Sequence, residues 1–164
     1  MKSQTLKNQK GFTLIELLVV LLIIGLLATI SVVALGTARA KGRDTRRLTD
    51  VKGIQNALEL YFLDNNAYPT VAAPAVLGTP ASTGRLDNTG FGVSTGTGTP
   101  VYMIKVPVNP NPNGSAYTYT STDSTGAACA TAPCASYTLT FTIESGAGGF
   151  AFGAHTATPP DVVQ

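Results

Sequence analysis

Apolar and polar residues are distributed very unevenly along this chain. From Phe12 to Gly36, in FTLIELLVVLLIIGLLATISVVALG, every position is apolar or small and uncharged except Thr13, Glu16, Thr29 and Ser31. At about 1.5 Å per residue such a helix is about 37 Å long, enough to cross a ~30 Å hydrocarbon layer. From Arg39 to about Leu63 the pattern changes. Leu48, Val51, Ile54, Leu58, Tyr61 and Phe62 recur every three or four residues, giving one apolar stripe on a polar helix. The opposite face holds Arg46, Asp50, Gln55, Asn56 and Glu59. With Asn65, Asn66 and Pro69 as stop signals, the spacing predicts one nearly continuous helix from about Phe12 to Asp64.

Beyond the helix the period falls to two. Tyr137 to Glu144 alternates strictly, with Tyr137, Leu139, Phe141 and Ile143 on one face and threonines on the other. That is a half-buried strand. Val101–Val106 and Tyr117–Thr120 read as further strands, joined by the turn-forming Asn109–Gly114 segment, and Phe150–Phe152 as a short last one. Residues 70–100, rich in Gly, Pro, Thr and Ser, read as loop with a short helix or turn. The expected fold class is α+β. A long N-terminal helix, apolar then amphipathic, packs on an antiparallel sheet of three or four strands.

Composition supports this partition. Of 164 residues 44% are hydrophobic and only 12% charged, with mean hydropathy +0.20, which excludes a disordered chain. The net charge of +2 is uneven. The first eleven residues carry Lys2, Lys7 and Lys10. Residues 39–52 carry Arg39, Lys41, Arg43, Arg46, Arg47 and Lys52 against Asp44 and Asp50, and the chain from Gly53 onward is net acidic. Directly after an apolar helix, the basic run reads as a solvated juxtamembrane turn, with same-face acid–base pairs worth a few tenths of a kcal/mol each. No specific nucleic-acid site is evident. The count of basic residues flanking the helix favours a cytoplasmic body. The two cysteines favour the opposite side, where a Cys129–Cys134 disulfide would close a short turn.

Candidate chemistry is sparse. His155, the one histidine, lies in a Gly/Ala-rich tail without an acid–base partner, and it is the only soft ligand besides the cysteines, too few for zinc. Asp87-Asn88-Thr89-Gly90 and Thr122-Asp123-Ser124 offer oxygens to calcium but gather no set of carboxylates. Asn113-Gly114-Ser115 fits a glycosylation triplet. No catalytic, cofactor-binding or metal residues are assigned, and no enzyme is expected. A signal peptide ending near Ala28, Thr29 and Ser31 would need a much shorter apolar run. Glu16 is the anomaly, a single carboxylate inside the apolar segment. Such a residue is a functional candidate by default.

The stretch Lys10-Gly11-Phe12-Thr13-Leu14-Ile15-Glu16-Leu17, a basic leader ending in Gly before about twenty apolar residues, resembles the start of a type IV prepilin or a type II secretion pseudopilin. Leu63–Pro69 is similar to the helix ending of major pseudopilins. The resemblance implies a pilin-like fold with a leader at 1–11, a membrane and filament-core half-helix at 12–38, an amphipathic half-helix at 39–66, and a head of αβ-loop and β-sheet at 67–164. It implies cleavage by prepilin peptidase between Gly11 and Phe12, N-methylation of Phe12, and assembly through Glu16, which meets the Phe12 amine of a neighbouring subunit. The implied partners are further copies or other pilins in a helical filament, an inner-membrane assembly platform, and membrane lipid before assembly. The precursor would sit in the inner membrane with its head extracytoplasmic, and the filament would be periplasmic or at the cell surface. No cofactor is implied, apart from the calcium some pseudopilins bind. The chain departs from many family members in lacking a Pro at Ser31–Ala34, which puts a Pro-dependent kink in doubt. The alternative from another class is a signal-anchored surface binding domain that never polymerises.

Overall fold

The computed structural model describes residues 11–159 and the backbone of Val162 and Val163. The leader residues before Gly11 lie outside the described residues. The long helix, α1, runs Leu14–Asn65 over 52 residues. The chain divides into two compact units within it, one ending at Ala38 and one beginning at Arg39.

In the first unit every described residue is exposed. Its 18-residue apolar core has mean hydropathy 3.0 and none of it is buried within the protein. The few hydroxyls are satisfied inside the helix itself. Thr29 donates to the Leu26 carbonyl at 2.8 Å, Ser31 to Leu27 at 2.8 Å, and Thr37 to Val33 at 3.3 Å. With backbone and hydroxyls paired internally, Glu16 is the one group of this half-helix that lipid would leave stranded among the described residues.

The second unit packs the remainder of α1 against antiparallel sheets. Asn66, at φ 51°, ends the helix in the left-handed region, and its N–H donates to the Phe62 carbonyl at 2.7 Å. Five strands, β1 (Ala75–Val76), β5 (Thr118–Thr122), β6 (Ser136–Ile143), β7 (Gly153–Ala157) and β8 (Val162–Val163), pair in the order β1-β5-β6-β7-β8. A smaller sheet, β3-β2-β4, is formed by β2 (Arg85–Asp87), β3 (Gly90–Gly92) and β4 (Val101–Met103). Tyr137, Leu139, Phe141 and Ile143 of β6 are buried in one core with Val51, Ile54 and Leu58 of α1, while the alternate threonines face outward. The stripe and the β6 alternation thus meet, as expected. The chain is α+β and pilin-like, with a long helix on antiparallel sheet.

Several expectations are corrected. The 70–100 segment contains turns, as expected, and also β1, β2 and β3, so the sheets number five and three strands rather than one of three or four. These strands are two or three residues long, too short to show a period. No strand spans Phe150–Phe152: Ala147 and Phe150 bridge a turn, and the strand begins at Gly153. His155 is therefore in β7, not in a tail. Gln55 is on the buried side, 4% exposed, where its amide donates to the Thr158 carbonyl at 3.4 Å. The basic run is helical, and part of it is buried.

Candidate functional site

Gly11, Phe12 and Thr13 precede the helix and are exposed, with Phe12 92% accessible. A Cβ at Gly11 would meet no heavy atom within 4 Å, so nothing in the fold demands glycine there. Thr13 caps α1. Its hydroxyl accepts the Glu16 N–H at 3.3 Å, and Glu16 Oε2 accepts the Thr13 N–H and hydroxyl, each at 2.8 Å. This reciprocal arrangement satisfies two N–H groups that an uncapped helix start would leave open. The helix dipole favours the carboxylate at this end as well. The cap folds Glu16 back toward the segment that carries Phe12. Glu16 Oε1 has no hydrogen-bond partner among the described residues, which leaves it free to accept from a cation. The sequence carries the signal for this cap, Thr-x-x-Glu directly before an apolar run, beside the assembly role that the resemblance implies for Glu16.

In the second unit the chemistry is structural. Arg43 holds Glu144 bidentately, Nε to Oε2 at 2.8 Å and Nη2 to Oε1 at 2.5 Å. Arg47 Nη1 donates to Asp44 Oδ1 at 2.7 Å and to Glu144 Oε2 at 3.3 Å. Its Nε donates to Asn109 Oδ1 at 2.7 Å, and its Nη2 reaches the carbonyls of Pro110 at 3.1 Å and of Asn113. Asp44 accepts the backbone N–H groups of Glu144 at 2.8 Å and Ser145 at 2.7 Å, and the Ser145 hydroxyl at 2.9 Å. Asp44 and Arg47 have fully buried side chains. Burial pushes the Asp44 carboxyl up, but these donors together outweigh it and hold it below its ordinary value. The Arg43 and Asn113 donors, with Arg47 behind them, hold Glu144 down to about 2. The cluster fastens the helix to the end of β6 and to the 109–113 turn.

Cys129 and Cys134 form the expected disulfide, with Cα atoms 5.7 Å apart. It lies where the Tyr68 N–H donates to the Cys134 carbonyl at 2.9 Å, so it braces the chain just after the helix. The calcium candidates are occupied by local turns. Asp87 Oδ1 accepts from the Thr89 N–H and hydroxyl at 3.0 and 2.6 Å, and Asp87 Oδ2 faces Arg85 Nε at 3.3 Å. Asp123 Oδ1 accepts from the Thr125 N–H and hydroxyl and the Ala127 N–H. Among the described residues no three His, Cys, Asp or Glu side chains gather where a metal could be held. Asn113, in the glycosylation triplet, donates its side-chain amide to Glu144 at 2.8 Å. His155 Nε2 lies 2.8 Å from the Ala151 carbonyl, and its ring packs on Phe141 and Phe150.

Comparison with known proteins covers part of the chain. The model of the prokaryotic N-terminal methylation motif matches residues 6–32. Type II secretion system core protein G of Aeromonas hydrophila is 42% identical over 64 residues, covering 39% of this chain and 45% of that protein. The same-named protein of Escherichia coli K12 is 44% identical over 63 residues, 38% of this chain and 43% of its own. That of Vibrio cholerae is 42% identical over 65 residues, 40% and 44%. The chain thus spans less than half the length of these relatives. No solved structure matches the chain significantly. The chain carries the prokaryotic N-terminal methylation motif and, over about two-fifths of its length, is similar to type II secretion system core protein G.

Proposed function

We propose that this chain is a structural subunit of a type II secretion-like pseudopilus or a type IV pilus. It is made as a membrane-inserted prepilin, cut between Gly11 and Phe12, methylated at the Phe12 amine, and polymerised through its N-terminal helix. The head stays on the extracytoplasmic side, where a disulfide persists. The reading divides the chain as its resemblance implies, with a leader at 1–11, a filament-core half-helix at 12–38, an amphipathic half at 39–66 and a head at 67–164. Its partners are prepilin peptidase, further pilin copies and an inner-membrane assembly platform. It has no turnover chemistry.

The observation that carries this reading is the placement of Glu16. One carboxylate stands in the first turn of α1, in its exposed apolar half and four residues past Phe12, with one oxygen unpartnered among the described residues. A lone charge in hydrocarbon is costly, and a cation with good geometry offsets much of that. Cleavage after Gly11 creates such a cation at Phe12. Supplied by a neighbouring copy, it turns an unfavourable residue into a reason to associate. Mass spectrometry of the N-terminus of the native protein tests this. Methylated Phe12 is expected. An intact Met1 on a protein that stays monomeric would support a permanently anchored binding domain instead.

A further inference from the structure

The six basic residues of the run fall into three pairs with different surroundings. Arg43 and Arg47 turn inward and are held by Glu144 and Asp44. Arg39 and Lys41 are exposed and form no ion pair among the described residues. Farther along, Arg46 lies 3.9 Å from Asp50, and Lys52 is exposed. The two exposed pairs also differ in their distance along the chain from the apolar segment. If a ~30 Å hydrocarbon layer takes about 20 helical residues from Leu14, it ends near Ala34. Arg39 then stands about 7 Å and Lys41 about 10 Å beyond, within reach of the headgroup zone for side chains this long. Arg46 and Lys52 come about two and about four helical turns after Arg39 in the sequence.

We propose that Arg39 and Lys41 form a binding site for anionic lipid headgroups, of the phosphatidylglycerol type, in the leaflet beneath the head. The proposal rests on the membrane-inserted precursor described above. Both cations are delivered to the interface by the apolar helix, and among the described residues no carboxylate pairs with them. The intramolecular cluster meanwhile removes Arg43 and Arg47 from the lipid-facing set. Each cation at a negatively charged bilayer surface favours anionic over zwitterionic lipid by about fivefold. A subunit leaving the bilayer must release these lipids, so anionic lipid would hold back the unassembled subunit.

The test is lipid selectivity of the full-length chain in nanodiscs, read with spin-labelled phosphatidylglycerol against spin-labelled phosphatidylcholine. The native chain should select the anionic probe, and 1 M salt should weaken that selection. Arg39→Gln with Lys41→Gln should lower the selectivity at least fivefold. Arg39→Lys with Lys41→Arg, which keeps both charges, should retain it. So should Arg46→Gln with Lys52→Gln. Equal selectivity in the native chain and the Arg39→Gln/Lys41→Gln variant would overturn the site and assign the preference to the leader lysines. Absence of selectivity in the native chain would also overturn it. Failure of the native chain to enter nanodiscs of either composition would instead refute the membrane reading itself.

Discussion

Arg47 and Asp44 are ion-paired at 2.7 Å across one turn of α1, and neither side chain is exposed. Surface pairs at this spacing contribute only tenths of a kcal/mol. This pair is different because every other hydrogen-bonding direction of both groups is used by the β6 end and the 109–113 turn. Its role is to join elements about a hundred residues apart. Removing one partner leaves the other charge buried.

Asp44→Ala should therefore destabilise the head by about 3–5 kcal/mol, the usual cost of orphaning a buried charge. Urea unfolding followed by tyrosine fluorescence measures this. Arg46→Ala, at an exposed neighbouring position, is the control and should change stability by under about 1 kcal/mol.

The same cluster sets a pH dependence. Glu144 falls from its ordinary 4.5 to about 2 in the folded head, and Asp44 is also held low. Between those limits the unfolded chain binds more protons than the folded one, so stability rises with pH there. The contribution of Glu144 and Asp44 to head stability should be level from neutrality down to about pH 4.5 and then decline toward pH 2. In Glu144→Gln that decline should be shallower, as acid titration of the unfolding midpoint will show.

Replacing both Cys129 and Cys134 by Ser should cost about 2 kcal/mol, a small value because the ring is short. The loss should be local. The Tyr68 amide, which donates to the Cys134 carbonyl, should exchange hydrogen faster before amides in the middle of β6 do.

At the N-terminus, Gly11→Val should abolish cleavage by prepilin peptidase while leaving the head folded, because the space around Gly11 is open. A gel shift after peptidase treatment equal to that of the native precursor would refute this. Glu16→Ala should still insert in membranes but give at least tenfold fewer filaments, since a pairing worth even ~1.4 kcal/mol is a factor of ten.

The helix, its stripe and β6 were legible because each repeats a period over many residues. Val51, Ile54 and Leu58 needed only their spacing, and Tyr137–Ile143 only its alternation. The strands β2 and β3, three residues each, carry no such repetition. The burial of Asp44 and Arg47 was not legible, because charged residues on a polar helix read as solvated unless the distant partner is known. Glu144 lies a hundred residues away, at the end of a strand whose own pattern says nothing about its last side chain. Gly11, Phe12 and Glu16 were singled out by motif. The Thr13 cap rests on the Thr-x-x-Glu spacing, which the apolar run around it obscures.

A covalent ring enclosing so few residues affects how the head would respond to tension. Cys129 and Cys134 are separated by five positions. If a filament were stretched until a head gave way, the ring would withhold only that short length, and nearly all the remaining contour would be free to extend. The head would thus be braced at one corner against local fraying, yet still able to lengthen under force.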